Sequence, residues 1–262
     1  MYLEVENNKT YIATGSKEHV DKSPAMTFVH GTGMDHTVWT LASRHFARYG
    51  LNILAVDLPA HGRSGGELKP AIEDMADWVV QALDAAGQES TIMVGHSMGS
   101  LVAFDVAARY PDRVTSLAMV GTSMPMPVGD LLLDNAEKDN HLAKEMINYW
   151  SHSPSAHLGG SQVPGTWMLG KLIRLLERAG SGVIYNDLLA CEKYTEGLER
   201  SKNIQKQTLL ILGEEDVMTP IKDNKALADR IPNSRTILIP NCGHAIVSEA
   251  PNDMLDALAT LI

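Results

Sequence analysis

The sequence predicts an α/β protein built on a mostly parallel, doubly wound sheet. Short apolar runs typical of buried strands alternate with helical patterns up to residue 122 and again after residue 202. Several of these runs are apolar throughout, as in parallel strands covered on both faces. With 262 residues, of which 44% are hydrophobic and 21% charged, the chain is long enough for one large domain.

The first half of the chain supplies an edge hairpin and then the centre of the predicted sheet. Residues 3–6 and 10–14 flank the turn Asn7-Asn8-Lys9 and predict an antiparallel hairpin at the sheet edge. Further strands are predicted at 25–29, 51–56, 92–94 and 114–120, and helices at 38–49 and 72–86. Another helical pattern begins directly after Ser97.

The alternation stops between residues 123 and 202, a segment called here the helical insertion. Helical patterns cover 130–150, 167–179 and 185–200, and the glycine-rich stretch 159–165 predicts a loop. Strands are predicted again at 208–213 and 236–239, and helices at 222–230 and 251–261. We therefore expect a core domain of residues 1–122 and 203–262, with the insertion as a helical cap over it.

The motif Gly95-His96-Ser97-Met98-Gly99 lies between a predicted strand and a predicted helix. A strand that turns at once into a helix places the serine at the apex, and glycines on either side permit the close approach of strand and helix. The N–H of Met98 would then lie at a helix start, where it has no intrahelical partner. The motif is short, and its strand–turn–helix context is what indicates a nucleophilic serine.

Five motifs in this order resemble those of the α/β-hydrolases in their small capped form. They are His30-Gly31-Thr32-Gly33, the stretch from Asp57 to Ser64, Gly95 to Gly99, Gly213-Glu214-Glu215-Asp216 with Pro220, and Gly243-His244. The resemblance covers nearly the whole chain except the insertion, which is the variable part of that family. It implies the α/β-hydrolase fold and a serine, acid and histidine in that order along the chain.

The resemblance implies a catalytic triad of Ser97, Asp216 and His244. Glu214 and Glu215 are rivals for the acid because they adjoin Asp216, and Asp57 is a third because it is a loop carboxylate after another strand. The resemblance also implies an oxyanion hole formed by the backbone N–H groups of Thr32 and Met98. It makes His30 a brace for its loop, and we interpret His61 and His96 as packing or loop residues.

Methionines and a tryptophan are candidates for the wall of an apolar substrate pocket. We expect Met34, Trp167, Met168 and Met218 to contact substrate, the middle two as part of a roof formed by the insertion. The histidines of the insertion, His141, His152 and His157, show no acid or cysteine at ligand spacing. We expect no metal and no cofactor.

A serine nucleophile favours acyl chemistry, with a small or medium carboxylic ester as the expected substrate. An enol-lactone hydrolase, a carbon–carbon bond hydrolase and a cofactor-free perhydrolase would use the same residues. A ligand-binding protein of receptor type could also retain them. Turnover would separate an enzyme from a receptor, and a substrate panel would separate the enzyme classes.

The charge balance excludes other classes of partner. The formal net charge is −10, and no basic cluster exceeds two residues, which argues against nucleic acid as a partner.

The first six residues are acidic where a signal peptide is basic, and no apolar run approaches the ~20 residues of a membrane span. Cys191 and Cys242 form no disulfide or metal motif. We expect a cytoplasmic protein that acts on small molecules, and the sequence leaves a homo-oligomer open.

Overall fold

The computed structural model describes residues 1–20, 22–161 and 165–262. Within these residues, eight strands form one sheet in the order β1-β2-β4-β3-β5-β6-β7-β8. The strands are β1 Tyr2–Val5, β2 Asn8–Ala13, β3 Ala25–Val29, β4 Asn52–Val56, β5 Thr91–His96, β6 Val114–Val120, β7 Gln207–Gly213 and β8 Ser234–Ile239. Strands β1 and β2 are antiparallel, β2 is antiparallel to β4, and the pairs from β4 to β8 are parallel. The predicted fold class is confirmed.

Helices lie on both faces of the sheet and in the insertion. They are α1 Thr40–Phe46, α2 Ile72–Ala85, α3 Met98–Arg109, α4 Asp130–Glu137, α5 His141–Ser151, α6 Pro154–His157, α7 Met168–Glu177, α8 Val183–Lys193, α9 Gly197–Arg200, α10 Lys225–Ala228, α11 Ile246–Glu249 and α12 Pro251–Ala259. Short 3₁₀ turns adjoin several of them, at His36–Trp39, Ala47–Tyr49, Pro111–Arg113, Ser201–Asn203 and Ile221–Asn224. No described helix combines the length and the apolar character that a membrane crossing requires.

The strands separate two apolar cores because successive side chains point to opposite faces of the sheet. In β6, Leu117 belongs to one core and Ala118 to the other. Helices α2 and α3 cover the first core, to which Trp78 and Phe104 contribute. Helices α1 and α12 cover the second core, which also receives side chains from the insertion.

The insertion differs from its predicted helices in where they break. The predicted helix 130–150 is two helices, α4 and α5, because Asp139 adopts a positive φ of 51° between them. Its carboxylate accepts hydrogen bonds from the N–H of Gly182 at 3.1 Å and from the Ser181 hydroxyl, which join this turn to the start of α8. The predicted helix 185–200 is likewise divided into α8 and α9. Residues 162–164 of the predicted loop 159–165 lie outside the described residues.

Loops that follow four parallel strands meet at one edge of the sheet. Strand β3 leads into residues 30–35, β5 ends next to Ser97, β7 precedes Asp216, and β8 precedes His244. The carboxyl ends of parallel strands lie at the same edge, so residues far apart in the sequence are brought together there.

Candidate active site

Ser97 occupies a strained turn between β5 and α3. Its φ and ψ are 54° and −125°, a region that residues with a side chain rarely adopt. A Cβ on Gly95 would lie 1.9 Å from the carbonyl oxygen of Gly99, and a Cβ on Gly99 would lie 2.3 Å from that of Val29. Only glycine fits at either position. The N–H of Ser97 donates to the carbonyl of Val120 at 3.0 Å and fixes the turn to β6.

His244 and Asp216 form a buried hydrogen-bonded pair. Nδ1 of His244 donates to Oδ2 of Asp216 at 2.8 Å. Nε2 of His244 is buried without a hydrogen-bond partner among the described residues, so a bond to Ser97 is not formed. Ser97 and His244 nevertheless line the same cavity. Catalytic hydrogen bonds are often long before substrate binds.

Asp216 is held ionised by the donors around it. The N–H groups of Met218 and Thr219 each donate to Oδ1 at 2.8 Å, and the Thr219 hydroxyl donates to Oδ2 at 2.6 Å. Burial would raise the pKa of Asp216, but the charge and hydrogen bond of His244, with the bonds from Thr219, outweigh it and lower that pKa to about 2. This carboxylate can therefore orient the ring of His244 at any ordinary pH.

Two buried histidines hold these loops by hydrogen bonds and do not line the cavity that Ser97 and His244 share. Nε2 of His96 donates to the carbonyl of His244 at 3.0 Å, and burial, followed by the neighbouring His244, lowers the pKa of His96 to about 3. Nε2 of His30 accepts from the N–H of Leu58 at 3.2 Å, and burial followed by the charge of His61 lowers its pKa to about 4. Both rings are therefore uncharged at neutral pH.

Two backbone N–H groups of the loop after β3 already have hydrogen-bond acceptors. The N–H of Gly33 donates to Asp187 Oδ2 at 2.9 Å, and that of Met34 donates to the carbonyl of Gly31 at 3.1 Å. Both groups are thus already engaged. Thr32 lies between these positions and lines the cavity, whereas Met98 begins α3 with its side chain fully buried.

Asp187 of α8 contacts the loops around this cavity, and no motif in the sequence pointed to it. Its fully buried carboxylate binds the N–H of Gly33 and also Nε2 of His61, the latter at 2.9 Å. Burial would lower the pKa of His61, but the charge and hydrogen bond of Asp187 outweigh it and raise the pKa. A buried ion pair therefore links the insertion to the loop after β4, and the same carboxylate is hydrogen-bonded to the loop that carries Thr32.

Glu249 makes a second junction, between the insertion and the loop that carries His244. Its carboxylate accepts from the N–H of Ser153 at 3.0 Å and from the N–H of Gly243 at 3.1 Å. The N–H of Ala245 donates to the carbonyl of Ser151 at 2.7 Å. Ala245, after His244, is thus bonded directly to the end of α5, and Gly243, before it, is connected to Ser153 through Glu249.

A cavity of about 380 Å³ lies between the insertion and the loops that carry Ser97 and His244. Ser97, His244 and Thr32 reach it from the core. Met34 and Met218, two of the residues predicted to contact substrate, line its wall. The apolar wall also includes side chains that no motif indicated, among them Met126, Leu132, Ile147 and Leu188.

Trp167 and Met168, the expected roof, do not line this cavity. The Trp167 side chain is 71% exposed and its ring packs over Gly170, one turn into α7. Met168 is 3% exposed and lines a separate cavity of about 20 Å³. Trp167 precedes the helix, so its ring folds back over the first turn on the outer side. Leu132 of α4 and Ile147 of α5 line the cavity.

One cluster has the residue types of a metal site. Ligand atoms of Asp35, His36 and Asp57 lie within 4.8 Å of one another. Oδ1 of Asp57 accepts from the N–H and from Nδ1 of His36, at 2.7 and 2.8 Å, and its Oδ2 accepts from the N–H of Arg63 at 2.9 Å. These bonds occupy the carboxylate and one ring nitrogen, so the cluster functions as a brace between two loops.

A strained serine after a central parallel strand shares a cavity with a buried histidine–carboxylate pair. This combination is typical of one class of α/β protein. A family profile described as "alpha/beta hydrolase fold" matches residues 24–251. The chain belongs to the alpha/beta hydrolase family.

Known proteins similar to this chain include several hydrolases. An (E)-2-((N-methylformamido)methylene)succinate hydrolase of Acinetobacter baylyi is 22% identical over 98% of this chain and 95% of its own length. A pimeloyl-[acyl-carrier protein] methyl ester esterase of Aromatoleum aromaticum is 26% identical over 88% of this chain and 94% of its own. The crystal structure of an enol-lactonase from Burkholderia xenovorans LB400 superposes with a TM-score of 0.85 at 17% identity, covering 100% of this chain and 99% of that one. This structural likeness concerns the fold.

Proposed function

We propose that the protein is a serine hydrolase that cleaves small to medium carboxylic esters through an acyl-enzyme. The observation that carries the proposal is the His244–Asp216 hydrogen bond of 2.8 Å, with Nε2 of His244 free in the cavity that Ser97 also lines. This is the arrangement in which a histidine can activate a serine hydroxyl. The name of the Aromatoleum relative, a methyl ester esterase, adds support for an ester.

The proposed reaction uses each of these groups in turn. Oγ of Ser97 attacks the ester carbonyl carbon while Nε2 of His244 takes the hydroxyl proton. The N–H groups of Thr32 and Met98 stabilise the negative oxygen of the tetrahedral intermediate. His244 then returns the proton to the departing alcohol oxygen, which leaves an acyl group on Ser97. Water, deprotonated by His244, attacks that acyl group and releases the carboxylic acid.

We propose that the helical insertion, residues 123–202, acts as the cap of this site. Its α4, α5 and α8 contribute apolar side chains to the cavity, including Leu132, Ile147 and Leu188. A volume of about 380 Å³ is within the usual range for small-molecule sites. This volume favours acyl and alcohol groups of modest size.

The proposal is tested with p-nitrophenyl esters of graded acyl length, with a lactone and a dienone acid as further substrates. We expect hydrolysis of short and medium esters, and a loss of about 10⁶-fold in kcat for Ser97→Ala. A fluorophosphonate should add its mass to the peptide that contains Ser97 and to no other serine peptide. A matched control is Ser248→Ala, since Ser248 is outside the Ser97 cavity and should behave as wild type.

Two results would contradict the proposal. One is a Ser97→Ala protein that keeps a tenth of the wild-type turnover, which would exclude a serine nucleophile. The other is a wild-type protein that turns over no ester, lactone or dienone acid and does not react with the fluorophosphonate. Tight ligand binding in that case would indicate a receptor-type protein.

A further inference from the structure

The cavity at Ser97 contains no fixed charge that could pair with a charged substrate. None of the described residues that line it is Lys, Arg, Asp or Glu. Apart from His244, its one ionisable side chain is Cys191, and burial raises the pKa of that thiol far above its ordinary value, so it stays neutral. A carboxylate placed against this wall would lose its hydration without gaining a counter-ion, which is strongly unfavourable.

Cationic side chains are present nearby, but in a different cavity. A polar cavity of about 400 Å³ is lined by Arg63, Arg178, His36 and His61. Arg178 already pairs with Asp35, whereas no described carboxylate pairs with Arg63, whose guanidinium lies over the ring of Tyr11 at 4.8 Å. Arg63 is therefore a cation that could receive an anionic group.

Lys171 lines the third cavity around this site, but it offers no room for a carboxylate. That cavity measures about 20 Å³, enough for about one water molecule. Burial lowers the pKa of Lys171, which also weakens it as a counter-ion.

Met34 is the side chain at which these three spaces meet. It lines the apolar cavity at Ser97, the polar cavity with Arg63 and the small cavity with Lys171. It is 6% exposed, and its backbone N–H is fixed by the carbonyl of Gly31. Met34 thus lies at the boundary between the cavity that Ser97 lines and the cavity that contains Arg63.

We propose that the Ser97 cavity selects esters whose acyl and alcohol groups are both uncharged, and that Met34 is the specificity-determining side chain that keeps anionic substrate groups from the Arg63 cavity. This inference rests on the proposed ester hydrolysis and adds the charge class of its substrate. The net charge of −10 also favours uncharged over anionic substrates, since it disfavours the approach of anions.

The test compares two substrates of equal length, dimethyl suberate and monomethyl suberate, which differ in one terminal group. In a pH-stat at pH 7.5 we expect the kcat/KM of wild type for the half-ester to be lower by about 100-fold or more, because its carboxylate must be buried without a partner. Values within about threefold of each other would overturn the proposed selectivity.

The role of Met34 is tested by the ratio of the two kcat/KM values, which does not depend on the fraction of folded protein. Met34→Ala should raise the ratio of half-ester to diester by about tenfold or more, and adding Arg63→Gln should remove the gain. Met126→Ala, a methionine that lines only the Ser97 cavity among these three, should leave the ratio unchanged. An unchanged ratio in Met34→Ala, or in Met34→Val if the alanine protein does not fold, overturns the role of Met34.

A binding measurement separates a failure of this inference from a failure of the proposed function. Calorimetry with Ser97→Ala should detect dimethyl suberate at concentrations where monomethyl suberate does not bind. Equal binding would overturn the charge selectivity even if the wild type hydrolyses esters. A wild type that is inert toward both esters, with the binding preference intact, would instead refute ester hydrolysis alone.

Discussion

The carboxylate of Asp187 accepts a hydrogen bond of 2.9 Å from the N–H of Gly33, although 154 residues separate the two in the sequence. The same oxygen binds Nε2 of His61, also at 2.9 Å. One buried carboxylate of the insertion therefore holds both the loop after β3 and the loop after β4. The position of the Thr32 N–H depends on this contact.

Replacing Asp187 by asparagine should lower turnover more than substrate affinity. The amide is similar in shape, but it lacks the charge that attracts His61 and the N–H of Gly33. We expect kcat for an ester to fall by about 10- to 100-fold, somewhat less than the loss of an oxyanion donor itself, with KM changed by less than about threefold. Asp134→Asn, an exposed acid on α4, is the control. A kcat within twofold of wild type would contradict this role.

The ion pair between His61 and Asp187 should make stability depend on pH. The pKa of His61 is raised in the folded protein, so its contribution is fully present below the unfolded value of about 6.5 and is lost as pH rises through the folded value. The difference in free energy of unfolding between wild type and Asp187→Asn should therefore be larger at pH 5.5 than at pH 9. Urea denaturation at both pH values measures this difference in free energy. A difference that is the same at both pH values, or larger at pH 9, would exclude the ion pair as its cause.

Asp216→Asn should lower kcat by about 10⁴-fold, because an asparagine leaves His244 in the wrong tautomer. The matched change Glu215→Gln should stay within about threefold of wild type, since surface charges contribute little. Steady-state kinetics on one p-nitrophenyl ester compares the two variants directly. A larger loss of kcat in Glu215→Gln than in Asp216→Asn would show that Glu215 is the acid of the triad and Asp216 is not.

Thr219→Val should weaken the protein in a pH-dependent way. The Thr219 hydroxyl donates to Asp216 Oδ2 at 2.6 Å, and its loss should raise the pKa of Asp216 from about 2 and destabilise the fold by about 1–3 kcal/mol at pH 7. A lowered pKa contributes stability above the unfolded value of about 3.9 that is lost as pH falls. The difference in free energy of unfolding between wild type and Thr219→Val should therefore become smaller as the pH falls from 5 to 2. A difference that stays constant would mean that the hydroxyl does not act through Asp216.

Gly95→Ala should destabilise the protein by about 3 kcal/mol or more, or prevent folding, because its Cβ would lie 1.9 Å from the carbonyl of Gly99. Gly129→Ala is the control. A Cβ there has nothing within 4 Å, and at a helix start the change costs about 1 kcal/mol. Thermal unfolding followed by circular dichroism compares them, and an unfolding midpoint of Gly95→Ala equal to that of Gly129→Ala would refute the steric argument.

The sequence indicated the core far better than the insertion, for a physical reason. Parallel strands covered on both faces are recognisable as continuous apolar runs, and the topology then brings the loops after them to one edge. The apolar side of a helix such as α7 shows that the helix is buried but does not show which element covers it. Met168 lines a cavity other than the one at Ser97, and the side chain of Trp167 is mostly exposed. Asp187 looked like any other acid because its partners come from distant loops.

The junction at Glu249 has a consequence for exchanging parts between members of this family. The glutamate belongs to α11, outside the insertion, yet its carboxylate joins Ser153 to Gly243, and Ser151 is bonded directly to Ala245. In a chimera that receives a foreign insertion at residues 123–202, Glu249 would lose one of its two hydrogen-bond donors, the N–H of Ser153. The loss is avoided only if the foreign insertion has a helix that ends as α5 does here. Grafts that replace residues 123–202 together with residue 249, both taken from the same protein, should keep the loop of His244 in its position. Grafts of residues 123–202 alone should not.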